Sequence, residues 1–398
     1  MSRQIHAVFI LLLAAVLFCG AGQAAVTENL NQTYQIGDMY TDILSVSVSG
    51  EGGYYLGVLH DGNLSLMKTD AKGKEIWSTD VTGSEFRSIN SVSGGGCVYV
   101  TTLGTDTYLC RADQAGKIVY ELPLPGIGAG IQPVVVSGTT IKFAGWFWET
   151  DTGFTQSFLL SDGTPANDQL SLPEGRIPVS MIKNNEGAYV LVGGATSNTS
   201  STSSEAWIMQ IKDGGTVAWN TVIKTDSLQT EYYGPGSTAY ALCEGENGGY
   251  FVAGTAAPYN LSTAFGIIWG SMIASDGKVV WEKELRGAVP YGVAKLGDEY
   301  LIAGTGWNSP LWMTLTSAGA LLDVVYLEEV PGQFNSVAQT SSGSAVLAGW
   351  SFLTGSPEGY LIGLTDGSVP ASPFPAAGVI IGLLGAAACL GIRRKAKR

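Results

Sequence analysis

The stretch GGYFVAG at Gly248–Gly254, followed by ASDGKVVWEKEL at Ala274–Leu285, sets the reading of the chain. The first segment is a short apolar run ending in Ala-Gly. The second is a tight turn closed by glycine, then an alternating strand. Val280, Glu282 and Glu284 point one way, and Val279, Trp281, Lys283 and Leu285 point the other. Upstream, AYALC at Ala239–Cys243 reads as a further strand, and Gly270–Ala274 as another. One unit therefore holds four strands, A to D. The turn glycine supplies the left-handed residue that a tight C–D hairpin needs.

The unit recurs along the chain. Relatives of its core are GGYYLG (Gly52–Gly57), GAYVLVG (Gly187–Gly193), EYLIAG (Glu299–Gly304) and SAVLAG (Ser344–Gly349). Degenerate copies sit at Gly96–Val100 and Ile141–Gly145. The turn glycines are Gly73, Gly116, Gly163, Gly215, Gly277, Gly319 and Gly367, spaced 43, 47, 52, 62, 42 and 48 residues apart. Repetition of short strands at that period predicts an all-β, seven-bladed β-propeller of four-stranded blades over residues 25–367. The seventh copy lacks a strand D. Leu30–Ile36 precedes the first strand A (Leu44–Ser49) without a blade of its own, so it is expected to complete the last blade and close the ring.

The two ends read differently. Residues 1–24 carry Arg3, an apolar run and small residues before Ala25, the pattern of a secretory signal peptide. Residues 368–378 form a Pro-rich spacer, 379–392 an apolar transmembrane or sorting helix, and 393–398 a basic tail expected to stay cytoplasmic. The expectation is an exported, membrane-anchored protein of the cell surface. With one basic residue in the leader and five in the tail set aside, 15 Lys and Arg face 34 Asp and Glu, a net −19. That sign argues against a nucleic-acid ligand.

The segments DAKGKEIW (Asp70–Trp77) and SDGKVVWEKEL (Ser275–Leu285) resemble the tryptophan-docking repeats of PQQ-like and WD40-like propellers. Segments such as GGYFVAG resemble those of bacterial and archaeal surface propellers. The tail resembles the C-terminal sorting signals of exosortase and archaeosortase systems. These resemblances imply fold and anchoring. A quinoprotein would bring adjacent cysteines, and this chain has no Cys-Cys pair. No cofactor and no metal site is expected. The aromatics four residues past the turn glycines (Trp77, Tyr120, Trp219, Trp281) are read as filling the gaps between blades.

Function is expected on the face that carries the B–C and D–A loops, because those loops hold nearly all the length variation. Trp146, Trp148, Tyr232, Tyr233, Tyr259, Trp307 and Trp350 gather there. They either stack on sugars or anchor an envelope protein, or else they cap the blade cores. Sequons mark Asn31, Asn63, Asn198 and Asn260 as candidate N-glycosylation sites. Cys97 and Cys110 flank an expected turn at Leu103–Gly104, and both a disulfide and two free thiols fit that spacing. His60 is the one histidine of the expected mature chain, too few for a metal hydrolase and without a nucleophile elbow beside it. The reading is a non-enzymatic surface protein that binds carbohydrate or an envelope protein. The alternative is a polysaccharide hydrolase or lyase using Glu149, Asp151 or Glu231. Oligomeric state is left open.

Overall fold

A computed structural model of the chain describes residues 27–36, 40–196, 204–223, 233–258, 267–285, 287, 289–306, 309–327, 331–341, 343–352 and 356–366. The expected leader, and the C-terminal segment expected to hold a spacer, a helix and a basic tail, lie outside these residues. Among the described residues no helix is long and apolar enough to cross a membrane.

The described chain is all-β. Strand β1 spans Thr27–Tyr34. Strands β2–β5 follow (Thr41–Val48, Tyr54–His60, Asn63–Thr69, Glu75–Asp80), then β6–β9 (Glu85–Ser91, Cys97–Leu103, Asp106–Ala112, Ile118–Leu124). Next are β10–β13 (Ile127–Ser137, Thr140–Phe147, Thr152–Leu159, Leu170–Ser171) and β14–β17 (Arg176–Lys183, Tyr189–Thr196, Ser204–Ile211, Val217–Val222). Then come β18–β21 (Tyr233–Glu244, Tyr250–Pro258, Ile267–Ile273, Val279–Leu285) and β22–β25 (Val289–Leu296, Glu299–Gly306, Ser309–Thr316, Leu321–Tyr326). The last are β26–β28 (Gly332–Ser341, Ser344–Ser351, Glu358–Thr365). Each group of four is an antiparallel meander, and the final sheet has the order β1-β28-β27-β26. Among the described residues a single parallel bridge, Gln132 to Ser180, joins β10 to β14.

Strand β1 pairs with β28 from Thr27 opposite Thr365 to Tyr34 opposite Gly359. It begins three residues earlier than the Leu30–Ile36 expected from sequence. The first strand of each sheet packs on the first strand of the next, from β2 through β6, β10, β14, β18 and β22 to β26, and β26 returns to β2. The buried apolar residues form seven clusters among the described residues, each shared by two neighbouring sheets. One holds Val190, Ile208, Leu242, Val252 and Trp269. The cluster that completes the circle joins Tyr34, Ile43 and Leu56 to Val346 and Leu361. A lone four-stranded sheet cannot cover both of its faces, so each sheet needs both neighbours.

The recurrent motifs have physical causes in this packing. In six of the seven first strands the register skips one residue: Leu44, Arg87, Val179, Tyr240, Tyr291 and Asn335. Each is a β-bulge, which pushes the first strand against the second. The Ala-Gly glycine sits at the contact. A Cβ on Gly254 would run into the Thr238 carbonyl, and one on Gly304 into the Val289 carbonyl. The turn glycine answers a second contact. Gly116 has φ +82°, and its missing Cβ would lie 2.7 Å from the Trp77 ring of the preceding sheet. The same indole donates to the Gln114 carbonyl at 3.1 Å. Trp219 meets Gly277 and donates to Ser275 O at 3.0 Å, and Trp281 meets Gly319 and donates to Ser317 O at 2.9 Å. At the closure Tyr34 takes the indole's place, packing on Gly73 and donating its hydroxyl to the Gly73 carbonyl.

Candidate functional site

The B–C hairpin between β11 and β12 positions the two tryptophans that sequence placed together. Trp146 lies opposite Gly128 on β10 and Gly153 on β12. Its indole covers Gly128, where a side chain would displace it. Trp148 stands in the turn, its backbone N–H donating to Gly126 O at 3.0 Å. Asp151, at φ +50°, closes that turn by donating its N–H to Phe147 O at 2.9 Å. The two indoles meet edge to face with centroids 5.4 Å apart. Trp148 is 49% exposed, the large ring of this face most open to solvent among the described residues.

These rings form one wall of a cleft of about 160 Å³ between the β6–β9 and β10–β13 sheets. Arg87, Thr102, Thr107, Ile127 and Ile131 line the rest. Arg87 is the bulge residue of β6, and its guanidinium meets Glu85 at 2.8 Å. Its buried Nε has no hydrogen-bond partner among the described residues. Thr107 donates to Ile127 O at 2.6 Å and pins the two sheets at the cleft floor. The cleft thus offers a flat exposed indole, a guanidinium and threonine hydroxyls. Sequence reasoning did not single out Arg87, because nothing in a lone arginine signals that it occupies a bulge.

Among the described residues, the other aromatic candidates fall in other sheets. Trp350 on β27 lies opposite Gln333 and Gly359, half-buried, edge to face with Phe352 at 5.7 Å. Tyr233 begins β18 with its backbone opposite Pro258. Tyr232, Tyr259 and Trp307 lie outside the described residues, as do Asn198, Asn260 and Glu231. Asn31 is exposed on β1, opposite Ile362, on a strand rather than a loop. Asn63 is exposed where β4 leaves its hairpin turn. Glu149 and Asp151 are both exposed.

One expectation needs correction. The hairpin turn between β7 and β8 is centred one residue later than expected, with Leu103 opposite Asp106. That moves the partner of Cys97 to Ala112 and the partner of Cys110 to Tyr99. The two cysteines are therefore offset rather than face to face, and both are buried free thiols. Burial pushes both thiols well above the usual range. His60 ends β3, and its Nε2 lies 2.8 Å from Ser65 Oγ, which donates to Asp80 Oδ1 at 3.1 Å. The serine stands between the other two, whereas a nucleophilic triad needs the histidine in the middle. Among the described residues no three His, Cys, Asp or Glu groups could hold a metal ion.

A second polar group joins the last sheet to the first. Asn335, the bulge residue of β26, donates Nδ2 to Asp42 Oδ1 at 2.6 Å and to Ile43 O at 3.0 Å. Gln333 Nε2 donates to Asn335 Oδ1 at 2.6 Å. Burial lifts the Asp42 carboxyl to about 7, and the Asn335 amide opposes that rise.

No family model matches the chain, and no curated protein matches it in sequence. Solved structures do match in shape. A streptogramin B lyase structure aligns at TM-score 0.52 and 16% identity, over 85% of this chain and 97% of that one. A catalytically inactive histidine-to-alanine variant of virginiamycin B lyase from Staphylococcus aureus, with quinupristin, aligns at TM-score 0.53 and 15% identity, over 85% and 99%. The Dos1 propeller aligns at TM-score 0.50 and 10% identity, over 85% and 81%. At such identities the likeness speaks for fold alone. Together with the strand order, it makes the chain an all-β protein of propeller-like architecture.

Proposed function

We propose that the chain is a seven-bladed β-propeller, exported and held at the cell surface by its C-terminal segment, that binds carbohydrate on its loop-rich face. The observation that carries this reading is the exposed Trp148 ring beside Trp146 over the Arg87 cleft. Indole faces stack on the C–H faces of sugar rings, and guanidinium and hydroxyl groups bond their hydroxyls. A cleft of about 160 Å³ suits one ring of a glycan, with the remainder lying across the loops. Exposed Asn31 and Asn63 are available as glycan acceptors in an exported chain. The alternative of glycan cleavage would use Glu149 and Asp151, which share the Trp148 turn.

The purified full chain should bind a subset of glycans on an array without releasing reducing sugar. Trp148→Ala should weaken that binding at least tenfold. Absence of any glycan signal would reject carbohydrate as the ligand. Sugar release abolished by Glu149→Gln or Asp151→Asn would replace binding with catalysis.

A further inference from the structure

Among the described residues that line the Trp148 cleft, Arg87 alone carries a charge. That is unusual company in a chain whose acids outnumber its bases by 34 to 21. Glu85, Glu149 and Asp151 are close in sequence to lining residues, yet none of them belongs to the walls. The cleft is therefore a cationic spot on an acidic molecule.

The guanidinium is held but not used up. Its Nη2 meets Glu85 Oε2 at 2.8 Å, and its buried Nε has no partner among the described residues. The Glu85 side chain is 47% exposed, so water screens that pair. An anion inside the cleft can compete with it for the same charge. The Thr107 hydroxyl has already given its proton to Ile127 O, which leaves the guanidinium as the strongest donor lining the cleft.

We propose that the cleft selects acidic sugars: a uronic acid whose ring stacks on Trp148 and whose carboxylate meets Arg87. This rests on the carbohydrate reading of the same cleft and narrows it. A carboxylate matches the planar fork of a guanidinium in shape and charge, and such bonds are about twice as strong as neutral ones. A neutral sugar offers only hydroxyls there. The cleft, at about 160 Å³, takes one ring, so the charge must sit close to that ring, as the carboxylate of a uronic acid does.

Calorimetric titration of the full chain with oligomers of glucuronic, galacturonic and mannuronic acid, each beside its methyl ester, tests this. At least one acid should bind roughly tenfold tighter than its ester. The gap should narrow as sodium chloride is raised. Both results are read on the parent chain and need no variant. Arg87→Met keeps the stem and loses the fork, so acid and ester should become level. Trp148→Ala should weaken both forms and preserve their ratio. If neutral glycans bind while every acid binds no better than its ester, the acidic selectivity falls and the carbohydrate reading stands. If no glycan of either kind binds, both fall. A preference confined to sulfated glycans, or one that Arg87→Met retains, would also overturn the proposal.

Discussion

Replacing Tyr34 with alanine should loosen the whole ring, although Tyr34 sits at the edge of the last sheet. Its ring is 8% exposed and packs with Ile43, Val46, Leu56, Val346 and Leu361 between the last sheet and the first. Its hydroxyl donates to the Gly73 carbonyl. Removing a buried aromatic ring costs about 3–5 kcal/mol through lost burial and the cavity left behind. Tyr34→Phe keeps the ring and loses the donor, for about 1–2 kcal/mol. Unfolding entropy near 2.1 cal/mol/K per residue, over roughly 340 residues, gives about 0.7 kcal/mol per degree. Tyr34→Ala should then melt about 4–7 °C below the parent in a calorimetric scan, and Tyr34→Phe about 2 °C below. Trp77→Ala, at the junction of the first and second sheets, should fall by a similar amount. If Trp77→Ala falls and Tyr34→Ala melts within a degree of the parent, β1 does not close the ring.

Three further outcomes are expected. Gly277→Ala should lower the melting temperature by a few degrees. It forces a side chain into φ +86° at 2.7 Å from Trp219, at about 1–3 kcal/mol. Asp42 should make the fold less stable as pH rises from about 4 to about 7. The unfolded carboxyl gives up its proton near 3.9 and the folded one near 7, so the folded state holds the extra proton in that window. Asp42→Asn should therefore gain about 2 kcal/mol on the parent between pH 4.5 and pH 8, after solvent screening, measured by paired denaturant titrations. Cys97, Cys110 and Cys243 should resist alkylation in the native chain at pH 8 and react after unfolding, read by peptide mass mapping. Burial raises all three thiols, Cys243 to about 12.

The repeat was legible because its two glycines answer backbone and ring contacts that return in most of the sheets. Gly277 and Gly319 stand where indoles press, and Gly304 and Gly349 stand where the bulged first strand presses. Strand D of that unit was read as Val279–Leu285, the span it occupies. Trp146 and Trp148 meet because one short hairpin holds both, a proximity that their spacing in sequence already carries. Arg87 and Asp42 were not legible. Their importance depends on bulge positions and on neighbours about 290 residues away, such as Asn335 against Asp42. The cysteine register failed for a smaller reason: moving a hairpin turn by one residue moves every cross-strand partner by two. The third unit also departs from the pattern. Asn167 stands where the aromatic is expected, strand β13 is only two residues long, and nothing packs over Gly215 in the next sheet.

The place of β28 has a mechanical consequence. It is the last strand of the described chain, yet it lies inside its sheet, between β1 and β27. Tension applied through the residues that follow Asp366 would therefore load two antiparallel ladders at once. Those ladders carry the pull in shear, along the strands, instead of opening like a zipper. One of them is supplied by the opposite end of the same chain. A molecule tethered through its C-terminus would thus bear load on a joint made by its N-terminus, and clipping β1 should halve the force it withstands.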